Sequence, residues 1–403
     1  MSDLEFENYL TWVKNNGGSF KNLKFEHGSA YATSIIKPNE NFASVPFKLC
    51  ITEDVARQAL PNLDNFSSRY VLTLFLLLQK RLGEKSFYWP YINILPKSIQ
   101  TPFFFDDMEL AFLKNTNLEA AVRERRKMIQ QNYSMILENL PANVKKEDVK
   151  WEEFLYCYCV YSSRSFPYKL IDPSANDSEA LFPLVDALNH KPRTKITWSR
   201  DGNNENGSLS FIAGQEFKQG EEVFNNYGPK SNEELLLGYG FCFEYNEYDH
   251  VALKPNFSQD PNFEVKRQIL QQNNISSGNV DPLTFYIHWN NIPAAYFKLM
   301  RVLVMNSVEM EHYKQCTNPR FIEFIGYRNE LCMLSMTLQV LETKLRAIQS
   351  VDLKKDNLRD SQKFALMYRK GDKRSCNHLY ATVTYQCGLY RSRGYFKYIN
   401  YNG

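Results

Sequence analysis

The chain has 403 residues, enough for roughly two or three domains with their own cores, and its 48 Lys and Arg against 45 Asp and Glu leave a net charge of +3, too even for a nucleic-acid footprint. Its 28 Phe and 25 Tyr exclude a disordered, weakly hydrophobic chain. Eight scattered cysteines form no disulfide framework, and no apolar run approaches the roughly 18 residues that a membrane-spanning helix needs. A reducing compartment is therefore expected.

Residues 3–16 read as a first helix with a ragged apolar face, stopped by Gly17 and Gly18. Strand-like pieces then surround Glu26 to Ala32, where Gly28 permits a positive φ or a close backbone approach. On those residues alone this is an ordinary hairpin turn. Residues 67–81 form a broadly apolar helix that should be buried. Residues 101–180 read as a helical insert. Val122, Ile129, Tyr133, Ile136 and Leu140 mark one side of a helix at spacings of seven, four, three and four. The basic run Arg123, Arg125, Arg126 and Lys127 fits the solvated face of that helix better than a nuclear address or a nucleic-acid patch. A second insert helix begins near Val149 and ends in the stretch Ser162 to Pro167.

Two polar clusters follow inside apolar surroundings. The first is Asp186, Asn189 and His190; the second is Asn225, Asn226, Tyr227 and Gly228. Between them the stretch Asp201 to Gly207 suits a turn. Two strands feeding an irregular segment would bring the clusters together. Asn and His supply donors and acceptors, and tyrosine supplies one polar atom on a rigid apolar ring. That inventory suits a polar cofactor held beside a narrow apolar slot, although each cluster taken alone also reads as a simple turn.

After Phe243 the pattern turns helical, over Phe263–Gln271, Pro293–Glu309 and 334–348. In the last of these, Leu334, Leu338, Leu341, Leu345 and Ile348 alternate steps of four and three. With only about two heptads, an amphipathic helix within a helical domain fits better than a coiled coil. Phe364 to Arg369 begins a final helix that Gly371 is expected to close. The Tyr-rich residues 374–403 show no clear period.

Taken together, these motifs resemble a SET domain of the branch that includes the Rubisco large-subunit lysine methyltransferase and the fungal ribosomal-protein lysine methyltransferases. The resemblance rests on Trp89-Pro90-Tyr91 with Leu95-Pro96, on Ser163-Arg164-Ser165-Phe166, on Asp186 to His190, on Gly220 to Gly228 and on Ser231 to Phe241. It implies an α+β chain: a SET-domain β-fold with a helical insert, then an all-α substrate-binding domain. The implied divisions are 1–96, 97–180, 181–248 and 249–403.

The implied activity is methyl transfer from S-adenosylmethionine to a protein lysine, with a protein-histidine methyltransferase or a catalytically silent binding scaffold as alternatives. By the same resemblance Tyr227 is catalytic. Glu26, Gly28, Asn189, His190 and Phe241 would hold the cofactor, and Arg164, Phe166 and Tyr239 would meet the substrate. Arg164 would be a fixed positive charge at the pocket mouth. The family's glycine-richer turn is His27-Gly28-Ser29 here. Phe166 favours lysine over histidine, because a relative that modifies actin histidine has asparagine at that point. Only Cys242 lies close behind the tyrosine motif, where many SET enzymes carry a cysteine-rich zinc segment, so no metal is expected. The implied partner is a ribosomal protein or translation factor, met by a monomer in the cytoplasm or also the nucleus, with no nucleic acid or membrane required.

Overall fold

The computed structural model describes residues 3–401 except 27, 176, 177, 205, 256–258, 280, 282, 289, 317, 319, 351, 352, 354 and 355. The chain is α+β and divides into two compact units. One comprises Met1–Phe104, Val122–Lys230 and Leu237–Gly240, and the other Phe105–Ala121, Ser231–Leu236 and Phe241–Gly403.

The first unit holds the strands β1 (Ser19–Phe20), β2 (Leu23–Glu26), β3 (Ser29–Ala32), β4 (Asn41–Pro46), β5 (Ser165–Pro167), β6 (Glu179–Leu181), β7 (Ile196–Asp201) and β8 (Ser208–Ala213). An antiparallel sheet runs in the order β1-β4-β8-β7, and β2-β3 and β5-β6 form separate two-stranded ladders. Along β8, Leu209, Phe211 and Ala213 are buried and alternate with half-buried residues, the period-two pattern of a strand with one face on the core. The polar stretch after Asp201 is the turn joining β7 to β8. Gly28, in the β2-β3 turn, has φ +82° and open space where a Cβ would sit, so glycine serves the left-handed backbone there, not a close approach.

Helix Ser68–Leu82 buries every side chain from Tyr70 to Leu77 and lies against Trp151–Arg164, the second helix of the insert. The first insert helix is Asn117–Glu138. Val122, Ile129 and Ile136 are its buried stripe, whereas Leu140 lies beyond its end, before Pro141.

The second unit is mostly helical. Phe263–Gln272, Ala294–Leu303, Ser307–Gln315, Tyr327–Gln349 and Asp360–Tyr401 surround a core that includes Tyr296, Leu299, Leu334, Leu341 and Leu379. It also carries a two-stranded ladder, β9 (His250–Leu253) with β10 (Phe285–His288). The stretch read as one helix over Pro293–Glu309 is two. Asn306 restarts the chain with a capping box, its side chain accepting from Glu309 N–H at 2.9 Å while the Glu309 carboxylate accepts from Asn306 N–H at 3.0 Å. Gly371 does not close the last helix. A Cβ at that position would collide with the Asp249 carboxylate, so the glycine serves a close approach inside a continuous helix.

Candidate active site

The two polar clusters meet side by side. Asn225 N–H donates to the Asn189 carbonyl at 2.8 Å, and Lys191 N–H donates to the Asn225 carbonyl at 3.0 Å, a parallel bridge between His190 and Asn225. This crossing fixes Tyr227. Its N–H donates to His190 Nδ1 at 3.1 Å, its ring lies 4.8 Å from the imidazole at 12°, and its hydroxyl donates to the Leu188 carbonyl at 2.8 Å. An accepting Nδ1 carries no proton, so His190 is the neutral tautomer protonated at Nε2. Burial favours that neutral form by lowering the imidazole pKa. Tyr239 also stacks on Tyr227, at 5.0 Å and 23°, and Lys230 Nζ lies 5.9 Å from the centre of the Tyr239 ring. Burial pushes the Tyr227 phenol further above its ordinary value, so it stays protonated.

Arg164, at the end of the second insert helix, donates from Nη1 to the Asp186 carbonyl at 3.0 Å and to its Oδ2 at 3.2 Å. The Tyr91 hydroxyl donates to the same Oδ2 at 2.8 Å. Burial raises the Asp186 pKa against the pull of the guanidinium and the phenol. The guanidinium expected as a fixed charge is therefore answered within the chain by a carboxylate that sequence reading had left without a role. Phe166 in β5 is buried edge-on against Phe182, Trp198 and Phe211. Arg164, Phe166, Asp186, Trp198, Tyr227 and Tyr239 all line one cavity of about 600 Å³, a volume typical of small-molecule sites.

The remaining candidates are placed differently. Asn189 is exposed, and its Nδ2 donates to Ser29 Oγ at 2.9 Å and to Glu222 Oε1 at 2.8 Å. Ser29 is the register partner of Glu26, so Asn189 draws the Gly28 turn against the crossing. Glu26 itself is exposed, pairs with Lys24 at 3.1 Å and does not line the cavity. Phe241 belongs to the second unit, where its ring meets Phe243 edge-on, and it is not a lining residue of this cavity. His27 lies outside the described residues. Ser29 and Glu222 lie inside motifs that the sequence analysis quotes, without a role of their own there, and Trp198 is not singled out in it. Trp198 sits in β7, paired across with Phe211.

Among the described residues no group of three or more His, Cys, Asp or Glu side chains is arranged to hold a metal ion, and no helix is long and apolar enough to cross a membrane.

Comparison with known proteins matches residues 29–228 to the SET domain family and residues 258–374 to the family described as Rubisco LSMT substrate-binding. The ribosomal lysine N-methyltransferase set10 of Schizosaccharomyces pombe is 30% identical over 366 residues, covering 88% of this chain and 65% of that protein. The actin-histidine N-methyltransferase of Homo sapiens is 27% identical over 403 aligned positions, covering 91% of this chain and 66% of that protein. The chain thus spans just under two thirds of the length of each relative. A solved structure of the SET domain of LSMT bound to lysine and AdoHcy matches with a TM-score of 0.80 at 19% identity, over 95% of this chain and 91% of that one. At that identity the likeness is one of fold.

Proposed function

This chain is a SET-domain protein related in sequence and structure to the Rubisco LSMT branch, and from that premise we propose that it is an S-adenosylmethionine-dependent protein-lysine N-methyltransferase acting on a ribosomal protein or translation factor. The observation that carries the reading is the fixed hydroxyl of Tyr227 in a cavity walled by Phe166, Trp198 and Tyr239.

S-adenosylmethionine bears an ammonium, a carboxylate, ribose hydroxyls and a purine, and the donor set fits it. Arg164 donates to Asp186 from Nη1 and would turn its other N–H groups to the cofactor carboxylate, and Asn189 with Ser29 offers donors and acceptors on the adjoining face. When bound, it supplies a methyl group on a positively charged sulfur. The chain's own residues do the rest. Phe166 and Tyr239 give the alkyl stem of a lysine an apolar sleeve, and a dry slot favours the neutral amine over the ammonium, whose ordinary pKa is about 10.4. Tyr227, protonated, orients by its oxygen and does not act as a base. His190 and Leu188 hold that tyrosine at its N–H and its hydroxyl. In this reading 1–96, 97–180 and 181–248 build the catalytic domain and 249–403 binds the protein substrate, as a monomer in the cytoplasm or also the nucleus.

Protein-histidine methylation is the second reading, favoured by the actin-histidine relative. Phe166 stands against it, because an apolar ring suits an alkyl chain better than a polar imidazole. The test is transfer of labelled methyl groups into an extract of unmethylated cells, with the modified residue located by mass spectrometry. Label on lysine of a ribosomal protein or translation factor is expected. Label on histidine establishes the second reading, and no label removes both.

A further inference from the structure

Ser162 and Ser165 bracket the turn that gives the cavity Arg164 and Phe166, and both lead to one arginine outside it. Ser162 lies in the last turn of helix Trp151–Arg164, and Ser165 opens β5. Arg69 stands in the first turn of helix Ser68–Leu82 and is not a lining residue of the cavity. Its guanidinium rests on Tyr158, 5.2 Å from the ring centre. Nη1 donates to Ser162 Oγ at 2.9 Å, Nη2 donates to Glu179 Oε2 at 2.6 Å, and Nε donates to Glu179 Oε1. Ser165 Oγ donates to the same Glu179 Oε2 at 2.6 Å. Glu179 stands in β6 on the cavity wall, in register with Pro167, and its side chain is 15% exposed. Here the chain leaves a helix for a strand, and the side chains on either side of Ser165 part. Arg164 goes to Asp186, and Phe166 packs on Phe182, Trp198 and Phe211. Backbone bonding thins out at a helix end. The direction of this exit is held on both sides by the Arg69–Glu179 pair.

Resting on the lysine-methyltransferase reading, we infer that Arg69 is a positioning residue for methyl transfer. Through Ser162 and Glu179 it fixes the turn from helix to β5, and with it the places of Arg164 and Phe166 on the cavity wall. Arg69 touches neither substrate nor cofactor and performs no step of the reaction. What it supplies is geometry as well as charge. A guanidinium presents its N–H groups in one rigid plane and serves a carboxylate and a hydroxyl at once. An ammonium at the same place answers the Glu179 charge but does not hold that plane. In-line attack on a methyl group tolerates little displacement: a shift of about 1 Å, caused by a change away from the chemistry, costs roughly 10²-fold in rate.

The test uses the full chain and the substrate protein identified by methyl labelling. Arg69→Lys keeps the charge opposite Glu179, and Ser165→Ala removes one hydroxyl and leaves the Arg69–Glu179 pair in place. Methyl transfer is followed in a single turnover with both substrates saturating, and the rate is expressed per S-adenosylmethionine site counted by calorimetry. A purely structural role lowers the number of sites and leaves the rate per site alone. Arg69→Lys is expected to lower that rate about tenfold or more, and Ser165→Ala about threefold. The loss should lie in kcat, with the KM for S-adenosylmethionine moving by less than about threefold. Because both changes act through Glu179, the double variant should be no slower than about twofold below Arg69→Lys alone. An unchanged rate per site in Arg69→Lys overturns the inference. So does a double variant whose loss is the product of the two single losses, since the two groups then act separately. If wild-type protein labels no lysine in the extract, the methyltransferase reading fails and this inference with it. If wild type labels lysine and Arg69→Lys matches its rate per site, only this inference fails.

Discussion

His190 holds Tyr227 in two ways: Nδ1 accepts the tyrosine N–H at 3.1 Å, and the two rings lie parallel within 12°. The hydrogen bond depends on a neutral imidazole, because a protonated Nδ1 cannot accept. Burial keeps the folded pKa of His190 below its ordinary value of about 6.5. As pH falls through that ordinary value the unfolded chain takes up a proton that the folded chain resists. This contribution to stability is thus full above about pH 6.5 and is lost as pH drops toward the lower folded pKa. Urea unfolding at pH 7.5 and pH 5 should show a smaller acid-induced loss in His190→Asn than in wild type. At pH 7.5 the substitution should cost about 1–3 kcal/mol, for the stacked ring and the lost acceptor. An equal acid-induced loss in both proteins would show that His190 does not titrate in this way.

Asp186 joins two groups remote in sequence, Arg164 and Tyr91. Its side chain is 2% exposed and that of Arg164 24%, so removing the guanidinium leaves a buried carboxylate unanswered. Arg164→Ala should cost about 3 kcal/mol, toward the lower end for a broken buried pair because the arginine is partly solvated. Tyr91→Phe should cost about 1.5–3 kcal/mol, one buried hydrogen bond to a charged group with the ring retained. Denaturant titration of both variants and of the double variant measures the coupling, which should be non-additive because both donors serve one oxygen.

Gly371 gives a prediction with an internal control. In a helix, glycine to alanine gains up to about 1 kcal/mol where space is open. At Gly388 nothing lies within 4 Å of the new methyl, so Gly388→Ala should stabilise by about 0.5–1 kcal/mol. At Gly371 the methyl meets Asp249, whose carboxylate is tied to Asn232 N–H at 2.9 Å and Asn232 Nδ2 at 3.2 Å and cannot move without breaking those bonds. Gly371→Ala should therefore destabilise by about 1–3 kcal/mol, the scale of a disrupted buried polar contact. Thermal unfolding of the two variants should move Tm in opposite directions.

The same glycine shows where sequence reasoning reached its limit. A glycine near a helical stretch signals either a stop or a close approach, and only the partner, Asp249, decides which. What was legible was local. The clusters at Asp186 to His190 and Asn225 to Gly228 each carry their polar residues in one short run, and the turn between β7 and β8 is written in Asn and Gly. The capping box of Asn306 and Glu309 was equally local, but it lay inside a continuous apolar period that masked it. What was not legible was pairing across the fold. Asp186 finds Arg164 22 residues away and Tyr91 95 away, and Glu179 finds Arg69 110 away. Tyr91 stands in the motif Trp89-Pro90-Tyr91, and nothing beside it in sequence marks the carboxylate that it meets.

Tyr227→Phe separates the two jobs of one residue. The variant keeps the ring, and with it the stacking on His190 and Tyr239 and the backbone bond to Nδ1. It deletes the oxygen, which donates to the Leu188 carbonyl at 2.8 Å. Leu188 is 2% exposed, so its carbonyl loses a partner that water does not readily replace, and the stability cost should be about 1 kcal/mol. The cost to chemistry should be far larger. In the proposed reaction the oxygens around the transferring methyl are fixed before the amine arrives, and deleting one preorganised polar contact of that kind lowers turnover by roughly 10²- to 10³-fold. Because the ring and its neighbours stay in place, affinity for S-adenosylmethionine should be nearly unchanged. Single-turnover methyl transfer at saturating S-adenosylmethionine, paired with calorimetric binding and urea unfolding, measures all three quantities. A folded Tyr227→Phe with near-wild-type turnover would reduce the hydroxyl to a strut for the Leu188 carbonyl and end its catalytic assignment.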